Sequence, residues 1–139
     1  MIVLDTNVVS ELMRPTPSPA VLKWARSYPK AELFTTAITE AEIFLGIELL
    51  SAGKRRAGLQ EFAETIFERD FDGRVIAFDS SAARAFARIA ARRRALGKPI
   101  SQADAQIAAI TLVFGATLAT RDIADFENCD IKLINPWAV

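Results

Sequence analysis

The chain has 139 residues, 51% of them apolar, with 17 basic side chains balanced by 17 acidic ones. That length and apolar content suit one ordinary domain with a substantial core and exclude a disordered chain. The even charge excludes an overall basic footprint for nucleic acid, and the absence of histidine removes histidine triads, bases and metal ligands together, leaving carboxylates, hydroxyls and the side chains of Lys and Arg for any chemistry.

Ile2–Leu4 reads as a short buried strand that stops at a carboxylate, Asp5. Asn7–Arg14 reads as a helix ended by Pro15, Pro17 and Pro19, and Pro19 also suits the first turn of a second helix over Ala20–Tyr28. Leu33–Thr36 is a brief strand. Thr39 starts a helix carrying Ile43, Phe44, Ile47 and Leu50 on its apolar side and ending before Gly53, and Lys54–Arg69 forms another. Val75–Phe78 is a strand, after which Asp79 or Ser80 caps a long Ala/Arg-rich helix running to Gly97. Ser101–Phe114 is a helix stopped by Gly115, and Thr117–Ala119 and Lys132–Ile134 are the last strands. Strands alternating with helices imply an α/β domain with a mostly parallel sheet covered on both faces. No apolar run approaches the roughly 20 residues of a membrane span. The single Cys129 allows no intrachain disulfide, and with no leader-like N-terminus the expected location is cytoplasmic.

Burying a lone carboxylate is costly unless it is hydrogen-bonded, paired or bound to metal. Asp5 therefore either opens the next helix or belongs to a site. Ligands of open α/β sheets gather beyond the carboxyl ends of strands, where strand order reverses. Asp5 follows the first strand there, and Asp122 follows Thr117–Ala119 with two residues between. Glu42 fits a capping box with Thr39, yet it also shares a helix side with Leu45, Gly46 and Leu49, while Glu40 points away as a solvent-facing acid. Asp104 fits a second box with Ser101, yet it heads the stripe of Ile107, Ala108 and Thr111. Helix N-termini favour such acids in their charged form. Four converging carboxylates would repel one another, and a hard divalent cation with oxygen ligands resolves the repulsion.

These residues resemble the PIN-domain nucleases, most closely the VapC/FitB-like toxins of type II toxin–antitoxin modules. The likeness runs through LDTNVVSEL at the start, TTAITEAEIFLGIELL around Glu42, SQADAQIAAITLVFGATLATRD from Ser101 to Asp122, the Asp125-Phe126 pair and the closing INPW. It implies a single three-layer PIN-like domain over residues 1–139, with a parallel five-stranded sheet flanked by helices. It implies an acidic quartet of Asp5, Glu42, Asp104 and Asp122, with Thr6, Asn7 and Thr120 supporting the acids or the water on an ion. The implied activity is hydrolysis of RNA phosphodiester bonds with Mg2+ or Mn2+, with Asp5 and Asp104 as the ligands and Glu42 and Asp122 completing the charge. RNA would approach along Arg121, Arg92, Arg93, Lys54 and Arg55. The implied partners are a VapB-like DNA-binding antitoxin and a second copy of the chain. Helix faces such as Ile43, Phe44 and Ile47, or Phe86, Ile89 and Ala90, offer either interface or ordinary core, and so do Trp24 and Trp137. The alternative is a PIN-fold module that binds RNA or protein without catalysis. A haloacid-dehalogenase-like phosphatase needs a second Asp where Asn7 stands, and a response-regulator receiver needs an acid pair after the first strand.

Overall fold

The computed structural model describes residues 1–139. Five short strands form one parallel sheet: β1 (Ile2–Leu4), β2 (Leu33–Thr36), β3 (Val75–Ile76), β4 (Thr117–Ala119) and β5 (Lys132–Ile134). Their order across the sheet is β3-β2-β1-β4-β5. The chain thus builds outward from β1 on one side, then returns and builds outward on the other. Strand order reverses between β1 and β4, where Ile2, Val3 and Leu4 stand opposite Thr117, Leu118 and Ala119. Asp5 continues that register, donating its backbone N–H to the carbonyl of Ala119 at 2.9 Å.

Side chains of β1 alternate between two cores, as the pleat requires. Ile2 and Leu4 join the helices α1 (Thr6–Leu12), α2 (Pro19–Arg26), α3 (Ala37–Glu48) and α4 (Lys54–Thr65) through Val8, Val9, Val21, Trp24, Ile43, Ile47 and Ala63. Val3 faces the other way, toward α5 (Ser80–Ala95) and α6 (Gln102–Val113), packing with Ala85, Ile89, Ile107, Ala108 and Phe126. The result is the three-layer α/β arrangement expected from the alternation of elements. Trp24 and the apolar faces of α3 and α5 are core: Trp24, Ile43, Ile47 and Ile89 are all buried, whereas the large apolar side chains left exposed include Leu45, Leu49, Leu96 and Phe114.

The strand bounds match expectation except at β3, which ends at Ile76 and leaves Ala77 and Phe78 outside the ladder. Pro19 occupies the first turn of α2, and Asp79 caps α5 by accepting from the Ala82 N–H at 2.9 Å. Two corrections fall on α3 and α4. Thr36, not Thr39, caps α3, accepting the Thr39 N–H at 3.1 Å, so the helix starts earlier than the box at Thr39–Glu42 implied. The helix expected over Lys54–Arg69 changes winding at Ile66, and Ile66–Asp70 forms a π-helical turn that swings Ile66 and Phe67 into the core.

Candidate active site

Asp5 caps a helix and also joins a side-chain network at the sheet edge. Oδ1 accepts the Thr6 N–H at 2.8 Å, capping α1, while Oδ2 accepts the Thr120 hydroxyl at 2.8 Å from beyond β4. Only 5% of the residue is exposed. The Thr6-Asn7 pair then carries the network in two directions. Thr6 Oγ1 donates to Glu42 Oε1 at 2.7 Å. A hydroxyl has one proton, so the Thr39 hydroxyl, 3.0 Å from Thr6 Oγ1, is the donor in that contact. Asn7 Nδ2 donates to Asp122 Oδ2 at 3.0 Å, and Asn7 Oδ1 accepts the Arg121 N–H at 3.4 Å. Thr120 Oγ1 also accepts the Asp122 N–H at 3.0 Å, which turns the chain back over the end of β4. Asp5, Glu42 and Asp122 are therefore held in one hydrogen-bonded frame by Thr6, Asn7 and Thr120.

Asp104 reaches the same edge from α6. Ser101 caps that helix by accepting the Asp104 N–H at 3.2 Å, so the carboxylate rides in the first turn. Burial pushes the Asp5 carboxyl up to about 6, with the neighbouring charges of Asp104 and Glu42 adding to the effect against the hydrogen bonds from Thr120 and Thr6. Asp104 is raised as well, first by burial and then by Asp125, Glu42 and Asp122. Asp5 and Asp104 thus feel others of the group, and Asp125, which the likeness carries only as half of the Asp125-Phe126 pair, adds to the charge on Asp104. It stands one short turn after Asp122, in the 3-10 turn Ile123–Phe126.

No lysine or arginine neutralises the group. The ion pairs of the chain are Met1–Glu32, Glu11–Arg14, Glu48–Arg56 and Arg92–Asp130, none of which includes the four acids. As the side chains stand, no three of them come close enough to enclose an ion directly. Glu42 differs from its sequence reading. It is exposed and sits in the second turn of α3, beyond reach of the dipole of the first turn, while Glu40 is the more buried of the two acids.

The basic side chains divide. Arg121 is exposed beside the site, its guanidinium carbon 5.0 Å from the centre of the Trp137 ring. Arg55 lines a groove of about 380 Å3 with Thr6, Arg14 and Glu42, and Lys54 is exposed beside it at the start of α4. Arg92 is exposed but paired with Asp130 at 2.6 Å. Arg93 corrects the expectation that it meets substrate: it is buried, and its Nε and Nη1 donate to backbone carbonyls of Lys98, Asp125 and Glu127.

The PIN domain family matches residues 2–132. The chain is 42% identical to VapC ribonuclease Y4jK of Sinorhizobium fredii over 137 residues, covering 99% of this chain and 98% of that one. It is 40% identical to Toxin FitB of Neisseria gonorrhoeae over 137 residues, covering 99% of both chains. Among solved structures, that of FitAB bound to an IR36 DNA fragment superposes with a TM-score of 0.92 at 40% identity, covering 100% of this chain and 97% of that one.

Proposed function

The chain belongs to the PIN domain family, and from that premise we propose that it is a divalent-metal-dependent endoribonuclease, the toxin of a toxin–antitoxin pair. The relatives named as a ribonuclease and as a toxin support the activity and the setting. The similar FitAB structure supports a partner protein that acts as antitoxin, and a second copy of the chain is part of the same reading. The observation that carries the proposal is the frame of Thr6, Asn7 and Thr120, which gathers Asp5, Glu42 and Asp122 where strand order reverses, with Asp104 close enough to raise Asp5.

The donor set fits a hard cation. It is all oxygen, it carries repelling charge, and it has no internal counter-ion. Mg2+ and Mn2+ prefer such ligands, and Mg2+ keeps several of its waters, which suits carboxylates that do not close around an ion by themselves. Asp5 and Asp104 would hold the ion. When bound, it supplies an acidified water as nucleophile and offsets charge on the phosphate oxygens. The chain's own residues do the rest. The Thr6 N–H and the Thr120 hydroxyl fix the orientation of Asp5. Thr6 aims Glu42 and Asn7 aims Asp122, placing two carboxylates to orient the attacking water or to accept its proton. Arg121, Lys54, Arg55 and Arg92 would contact RNA phosphates, which position a strand without reading its sequence.

The test is cleavage of a structured RNA by purified protein, with Mg2+ and after chelation. Asp5→Asn and Asp104→Asn are each expected to lower the rate more than about a hundredfold, since even partners that only orient metal ligands cost about 10–100-fold. Cleavage that survives both chelation and substitution rejects the mechanism. Failure of the wild type to cleave or to bind Mn2+ would favour the non-catalytic module.

A further inference from the structure

We infer that Arg93 is a positioning residue of this site, setting the spacing between the segment that delivers Asp104 and the one that delivers Asp122; its functional meaning rests on the nuclease reading above. Arg93 projects from the last turns of α5 and is 5% exposed, yet it pairs with no carboxylate. Its donors go to main-chain oxygens on two sides. Nε donates to the Lys98 carbonyl at 2.7 Å, and the Lys98 N–H returns to the Arg93 carbonyl at 2.9 Å. Nη1 donates to the carbonyls of Asp125 at 2.7 Å and Glu127 at 3.0 Å. It also lies 3.6 Å from the buried Cys129 Sγ.

Each side leads to an acid. Lys98 opens the short connection to Ser101, whose hydroxyl caps α6 at Asp104. On the other side the Asp125 N–H donates to the Asp122 carbonyl at 3.0 Å, so one hydrogen bond separates the Arg93 anchor from the Asp122 backbone. The segment beyond Glu127 holds Asn128 at φ 62° and Asp130 at φ 58°. Asn and Asp adopt that region readily, and the guanidinium contacts the turning segment at the Glu127 carbonyl and the Cys129 sulfur.

A methionine or leucine would fill the same space without the cost of burying a charge. What only the guanidinium provides is a planar fork of donors in fixed directions, here locked to two loops at once. Arg93 reaches no carboxylate oxygen of the acids, meeting Asp125 only at its main-chain carbonyl, and it does not line the groove of Arg55 and Glu42. It acts on the site through backbone geometry alone.

The experiment compares wild type with R93M, R93K and a packing control, I89A, one turn away on the same helix face. Amide hydrogen exchange is read without metal, and Mn2+ binding is read by calorimetry without RNA. R93M should speed exchange together in Ile100–Asp104 and Thr120–Glu127 while leaving Val3–Asp5 protected. It should weaken Mn2+ binding by about tenfold, the scale of lost orienting partners. R93K, which keeps a charge but not the fork, should recover part of both effects. I89A should leave Mn2+ binding within about twofold of wild type. Exchange that rises equally in Val3–Asp5, or Mn2+ binding by R93M at wild-type strength, overturns the assignment. If R93M does not fold, R93K carries the same test. If wild type itself takes up no Mn2+, the metal reading fails on its own, and the exchange pattern still decides the role of Arg93.

Discussion

Burial raises the Asp5 carboxyl from an ordinary 3.8 to about 6, and the sign of the consequence follows from which state holds the proton. Between those values the folded chain binds a proton that the unfolded chain has released. Relative stability from this group is therefore fully present below about pH 4 and is lost as pH rises through about 6. At neutral pH the charged carboxylate costs up to about 3 kcal/mol, taking 1.36 kcal/mol per pKa unit. Asp5→Asn removes that cost. In metal-free urea unfolding, its stability relative to wild type should rise by up to about 3 kcal/mol between pH 4 and pH 7.5. A pH-independent difference would mean that Asp5 is not held charged against burial. The position of this residue was legible because a charge ended an apolar strand. Arg93 was not: in Arg92-Arg93-Arg94 each residue looks like solvent-facing charge, and only the three-dimensional path of the 125–129 segment decides which one is swallowed.

Helix starts were legible to within about a turn, and the slip that mattered was at α3. Thr36 and Thr39 are both residue types that cap helices, but only Thr39 has an acid three residues on, at Glu42, and that spacing points to the later start. Pairing of β2 with β1 and β3 decides the question: it carries extended backbone as far as Thr36, which pairs with Ile76, and the helix begins at the next residue. The consequence is that Glu42 caps nothing and is free for Thr6. Thr36→Val, which keeps the shape and loses the oxygen, should cost about 1–2 kcal/mol of stability, as lost caps do. Glu42→Ala should change stability by less than about 0.5 kcal/mol, being exposed and outside the cap. Denaturant midpoints measure both, and the reverse ranking would restore the box at Thr39. The π-helical turn after α4 left no such trace. Ile66 and Phe67 fit the ordinary helix expected over Lys54–Arg69, and the wider winding goes with the joint burial of Ile66, Phe67 and Phe71 beside Leu33.

At the scale of the molecule, alternation of strands and helices was enough to imply a parallel sheet, and the strand-end acids were enough to locate its reversal. The order β3-β2-β1-β4-β5 then brings residues 5 and 122 together although the chain separates them almost end to end. Under the proposed function, the same whole-molecule view bears on how RNA would arrive. With 17 basic and 17 acidic side chains, the chain has no net field to draw a polyanion from a distance. Binding must come from local contacts, and each phosphate contact on a single strand contributes about −0.7 to the slope of log affinity against log salt. Arg121, Lys54 and Arg55 are exposed, and Arg92 is engaged by Asp130. A single chain should therefore show a slope of about −2, reaching about −3 if RNA draws Arg92 from Asp130. Fluorescence anisotropy with Asp5→Asn, which binds without cutting, measures it over a KCl series. Arg121→Ala should make the slope shallower by about 0.7. A slope steeper than about −5 would mean that the strand crosses basic groups of two chains at once, which would place the dimer, not the single chain, as the unit that holds RNA.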